Sequence, residues 1–142
     1  MKISRFKVFL YLTFFSLLLA VFSYFLLKVI NNLTAYENIV TIYSALNNAS
    51  LFSSFSSTLI LTTFTIIALI TGKSLRWMPK IIIIILSIMV VISFIVGWVM
   101  TTVTKKELDE QGYIECQSER ELTLKYSSRT YVLPPEKCEK DR

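Results

Sequence analysis

The chain has 142 residues, with no histidine, only three glycines and two cysteines, and no charged residue within the middle of its long apolar runs. Without histidine, the commonest general base and metal ligand is missing. Three scattered glycines do not make a phosphate-cradling loop. Cys116 and Cys138 are too far apart for a CxxC pair and too few for a zinc site. Proton pumps and charge relays rely on ionisable groups inside the membrane, and none is present here. No broken helices or inverted repeats suggest a transporter. Ser and Lys occur only as loose neighbours, without the positioned base that a nucleophile needs. Glu115, Glu119 and Glu121 stand in a charged run that reads as solvated surface, not as paired catalytic carboxylates. A binding or structural protein is expected, not an enzyme, with no cofactor and no metal.

What is present is apolar mass. Hydrophobic residues make up 54% of the chain and include ten Phe, more than a soluble domain of this size can hide. Three runs stand out, at residues 8–28, 51–71 and 81–104. Each is long enough to cross ~30 Å of hydrocarbon as a helix. The run of isoleucines from Ile81 to Ile85 favours strands in water, but in lipid the backbone must satisfy itself, so helix wins.

Charge sets the expected orientation. Lys2, Arg5 and Lys7 precede the first span, and Lys73, Arg76 and Lys80 lie in the link 72–80. The loop 31–50 has no Lys or Arg, and Lys28 at its edge snorkels outward. The N-terminus is therefore placed in the cytoplasm and the tail, 105–142, outside. The net charge of +5 lies beside apolar runs, not in an aromatic-studded stripe, so no nucleic acid is expected. Tyr24 and Trp98 fit the outer interface and Trp77 the inner one, and Pro79 suits the start of span three. A cleaved signal peptide is the alternative for span one. Its apolar core is too long, and no small-x-small site follows.

Small and hydroxyl residues are the expected seams between the helices. Thr13, Ser16, Ala20 and Ser23 share one face of span one; Ser54, Thr58, Thr62 and Thr65 one face of span two; Ser93, Gly97 and Thr101 one face of span three. Hydroxyls that merely bond back to their own helix are the alternative, and a channel lining by span two is another. In the outer loop, Tyr36, Ile39, Tyr43 and Leu46 recur at helical spacing and suggest a short interfacial helix. Asn32-Leu-Thr and Asn48-Ala-Ser match the glycosylation triplet, a pattern common by chance.

Outside the cytoplasm disulfides persist, so Cys116 and Cys138 are expected to pair and close a small tail that lacks Phe and Trp. GYIEC (112–116), LTLKY (122–126) and TYVL (130–133) read as strands. QSERE and SSR read as turns, and Pro134-Pro135 ends the last strand. The fold class is thus an all-α transmembrane bundle of three helices, N-terminus cytoplasmic, with a disulfide-closed β-rich C-terminal cap. The domains are 1–104 and 105–142.

Gly112, Tyr113, Ile114 and Cys116, then Tyr131, Val132 and Cys138, also carry a resemblance. This tail after a long apolar span is similar to that of a group of small Gram-negative inner-membrane proteins known as a domain of unknown function. Proteins of this shape resemble immunity partners of pore-forming toxins in bacterial competition, such as type VI secretion effectors or colicins. The resemblance implies a cognate toxin as protein partner besides membrane lipid, and leaves a homo-oligomer open. Exposed residues of the cap, Tyr113, Glu119, Arg120, Glu121, Tyr126, Arg129 and Tyr131, are the candidate contacts. The rival readings are an accessory subunit of an envelope complex and a small channel or lytic protein.

Overall fold

A computed structural model describes residues 4–34, 39–72, 79–117, 120–122, 127–134 and 138. Three of the described helices are long and apolar enough to cross a membrane: α1 (Arg5–Thr34), α2 (Ala45–Thr71) and α3 (Lys80–Glu110). At 30, 27 and 31 residues they run to about 40–46 Å, longer than the ~30 Å hydrocarbon layer. The excess lies at one end. There α1 continues to Thr34, α2 begins at Ala45 and α3 continues through Lys105 to Glu110, so these segments extend the helices beyond the apolar runs.

Local chemistry fixes these bounds. Ser44 caps α2, its hydroxyl accepting from the Asn47 N–H at 3.2 Å. Gly72 ends α2 in the left-handed conformation (φ 65°), and its N–H reaches the Ala68 carbonyl at 2.9 Å. Pro79 stands as the N-cap of α3. Helix α2 packs on both α1 and α3, which make few contacts with each other. The outer faces of the helices are apolar and exposed, Phe14, Leu17, Ile84 and Val91 among them, as suits surfaces turned to lipid.

The sheet has four strands: β1 (Ile39–Tyr43), β2 (Ile114–Glu115), β3 (Glu121–Leu122) and β4 (Ser127–Val132). Strand β4 is central. Antiparallel β1 lies along one edge, from Ile39 opposite Val132 to Tyr43 opposite Ser128. The other edge takes β2, Glu115 opposite Tyr131, and β3, Glu121 opposite Ser128. The cap is therefore built from two distant pieces of chain, the loop between α1 and α2 and the C-terminal tail.

Several expectations are corrected here. Ile39–Tyr43 is a strand, not part of an interfacial helix, because its IVTIY alternation buries Val40 and Ile42 on one face. Ser127, Ser128 and Arg129 belong to β4 and not to a turn, since both edges of β4 are paired. Tyr36, Trp77, Pro135 and residues 123–126 of LTLKY lie outside the described residues.

The water-style core also sits at this end. Val29 and Leu33 of α1, Val40 and Ile42 of β1, and Leu108 of α3 pack with Tyr113 and Tyr131. Ile42 and Leu108 are each 1% exposed. Burying such a side chain contributes roughly 1.5–3 kcal/mol. The helix ends are thus the floor on which the sheet rests.

Candidate functional site

Gly112 takes the chain from α3 into the cap. Its φ of 85° is in the left-handed region, which a side chain disfavours. The Tyr113 N–H bonds to the Leu108 carbonyl at 3.0 Å, closing the helix end. Two residues on, Cys116 continues the β2 ladder, its N–H donating to the Thr130 carbonyl at 2.9 Å. Cys116 is bonded to Cys138, with Cα atoms 5.9 Å apart, so the expected disulfide is present.

Opposed residues on antiparallel strands share a face, so Val40, Ile42, Glu115, Arg129 and Tyr131 lie on one face of the sheet. Val40, Ile42 and Tyr131 fill the core. Glu115 and Arg129 sit beside them, and the Arg129 guanidinium donates to Glu115 Oε2 at 3.3 Å. The Arg120 guanidinium lies 3.8 Å from Glu115 Oε1. Lys105, on the last turns of α3, feels repulsion from Arg129 and Arg120 and attraction to Glu115 and Asp109. One carboxylate therefore organises two guanidinium groups, with a lysine close by. The Arg side chains keep about a third of their surface exposed, 36% for Arg120 and 34% for Arg129, so they are accessible to a partner. Burial first, and the Glu115 carboxylate next, hold the Tyr131 phenol above its ordinary pKa.

The candidate contacts divide. Arg120 and Arg129 are brought together on the surface. Tyr113 and Tyr131 are corrected from contact to core residues, 8% and 4% exposed, because their rings close the space between sheet and helix ends. Glu121 pairs through its backbone in β3, while Glu119 and Tyr126 lie outside the described residues. Glu115 is the residue that sequence reasoning missed. Its signal is its place opposite Tyr131, beside Arg129, which only the strand register reveals.

The helix seams divide too. Gly97 and Thr101 are buried where α3 meets α2. There the Asn48 side-chain amide donates to Thr101 Oγ1 at 2.9 Å, and Thr101 donates to the Gly97 carbonyl at 2.9 Å. Asn48, of the second glycosylation triplet, is 2% exposed and its amide is used in this contact. Ser93 meets Ser56 at 2.6 Å, again α3 against α2. Thr58 and Thr62 are buried in α2, and Ser54 and Thr65 are half-buried. Thr58, Thr62 and Thr65 each donate to a carbonyl of their own helix. On α1 Ser23 is half-buried, but Thr13, Ser16 and Ala20 are exposed and form no seam within this chain. The hydroxyls of Thr13 and Ser23 are satisfied by the Leu10 and Leu19 carbonyls, so they need no partner helix. Among the described residues, no three of Cys, Asp and Glu gather as metal ligands.

Three span-length apolar helices carrying a disulfide-closed sheet on one end define a membrane protein with a folded polar cap. Residues 40–139, from β1 through both cysteines, match the family described as Protein of unknown function (DUF1240), and the chain belongs to that family. No curated protein and no solved structure matches it.

Proposed function

We propose that this chain is an immunity protein of the bacterial inner membrane that binds and neutralises a membrane-targeting toxin through its cap. The observation that carries the reading is the Glu115–Arg129–Arg120 cluster, held at a disulfide-closed sheet with both arginine side chains about a third exposed. Charged groups fixed in this way favour selection of one partner over others. In this reading the N-terminus is cytoplasmic and the cap periplasmic. Supporting that orientation, Arg5 and Lys7 of α1 and Lys80 of α3 stand at the helix ends opposite the cap, with Arg5 beside Gly72. A toxin entering from the periplasm meets the cap before it reaches the bilayer.

The test is survival of cells that send a neighbouring-gene toxin to the periplasm, with and without this protein. The Glu115→Gln/Arg129→Gln double variant, checked for equal membrane level, removes the closer ion pair and leaves Arg120, about a third exposed, to solvent. Protection by wild type and none by the variant is expected. Equal death with and without the protein, for every adjacent candidate toxin, overturns the reading.

A second reading, an accessory subunit of an envelope complex, is favoured by one observation. The small residues Thr13, Ser16 and Ala20 of α1 are exposed and, in this reading, let a helix of another protein approach closely. Stable co-purification with a housekeeping membrane protein, lost on Ala20→Leu, distinguishes it.

A further inference from the structure

A cleft of about 410 Å³ opens between α1 and α2 at the cap end of the helices. Its lining changes character along the helix axis. Toward the cap stand Lys28, Asn47 and Ser50; further into the apolar stretch stand Phe22, Phe25 and Leu51, with Ser54 the one hydroxyl of the lining at that depth. The Ser50 hydroxyl is used, donating to the Asn47 carbonyl at 2.8 Å. The Asn47 side-chain nitrogen is screened from solvent and meets no acceptor. Leaving such a donor unsatisfied is costly, so the site calls for one. Lys28 brings a cation to the same rim, and no carboxylate among the described residues pairs with it.

We propose that this cleft is a binding site for one phospholipid, its phosphate oxygens at Lys28 and Asn47 and an acyl chain along Phe22, Phe25 and Leu51. The ionised phosphate and the acyl esters of a phospholipid present acceptors without donors, followed by pure hydrocarbon, in the order the cleft requires. A protein helix fits less well, because its backbone acceptors are already bonded internally and leave both donors unanswered. The site is separate from the charged cluster of the cap and does not depend on the toxin reading.

The test uses the full chain purified in detergent, with bound lipid counted by native mass spectrometry. The probes are dioleoylphosphatidylglycerol and dioleoylglycerol, which has the same chains and no phosphate. Wild type is expected to retain one phosphatidylglycerol per chain and to release dioleoylglycerol. Lys28→Gln should lower occupancy at least ~5-fold, and Leu51→Trp, which fills the cleft, should abolish it. Lys106→Gln, an exposed lysine paired with Glu110 away from the cleft, should change nothing. Helical circular dichroism and the intact Cys116–Cys138 bond report that each variant is folded. Equal retention of dioleoylglycerol by wild type overturns the proposal without recourse to any variant. So does full retention by folded Leu51→Trp, or equal loss in Lys106→Gln. A photo-cross-linker at Phe25 that captures a protein in cells instead of lipid also overturns it.

Discussion

Gly97→Ala is the sharpest test of how the helices meet. A β-carbon at this position comes within 2.9 Å of the Ala49 Cα and 3.0 Å of both the Asn48 carbonyl oxygen and the Phe52 ring. Two of those three neighbours are backbone, so α2 and α3 must separate by several tenths of an ångström. Overpacking of this kind costs about 1–3 kcal/mol. Replacing a mid-helix glycine by alanine returns about 0.5–1 kcal/mol of backbone entropy. Separation also strains the Asn48–Thr101 bond at 2.9 Å, one turn along. Interhelical bonds in membranes are worth about 0.6 kcal/mol. The net expectation is a loss of about 1–2 kcal/mol. Gly97→Leu should prevent native packing. Unfolding in mixed micelles of rising denaturing-detergent content, followed by tryptophan fluorescence, measures this. Thr101→Val run in a cycle with Gly97→Ala should show less than additive loss, since the first change has already weakened the shared contact. Gly97→Ala as stable as wild type refutes the close approach.

Other predictions concern the cap. Cys116→Ser/Cys138→Ser opens a closure of 22 residues and should cost the cap about 3 kcal/mol, read as faster amide exchange in β2 and β4 while the helices are unchanged. Glu115→Gln leaves Arg120 and Arg129 facing each other and Lys105 without their shared carboxylate; at this partial exposure the loss should be about 0.5–1 kcal/mol, seen as earlier proteolysis of the tail. Burial, with Glu115 second, raises the Tyr131 pKa, so its contribution to stability is intact below about pH 10, the ordinary tyrosine value, and is lost as pH rises through the raised one. A spectrophotometric titration should show a late-ionising phenol that Tyr131→Phe lacks, and identical titrations contradict this.

The three spans were legible because uncharged stretches of twenty or more apolar residues leave a chain little alternative in lipid. The cysteine pairing was legible from two cysteines in a tail that the charge pattern places outside the cytoplasm. The extent of the helices was not: Lys105–Glu110 is polar and reads as tail, yet it continues α3 because Leu108 anchors that turn in the core. Strand β1 was hidden by a coincidence. Tyr36, Ile39, Tyr43 and Leu46 recur at helical spacing, while the alternation of Val40 and Ile42 that decides the matter spans only five residues. Its partner β4 lies far along the chain, beyond the reach of local patterns. Without β1 the role of the two tyrosines was misplaced. Tyr113 and Tyr131 look like surface aromatics of a tail, but become core once the loop folds over them. Of the candidate surface contacts, Arg120 and Arg129 were visible as charges, and their common partner Glu115 only from strand register.

The most direct measurement of a cap assembled from loop and tail is amide exchange of residues 39–43. It compares the full chain with one ending after Gln111, both in the same micelles and both checked for helix content. If β1 exists by pairing with β4, these amides should be protected in the full chain and exchange at least ~100-fold faster without the tail. Equal protection in both means that the loop folds alone, and the recognition surface proposed here does not exist as described.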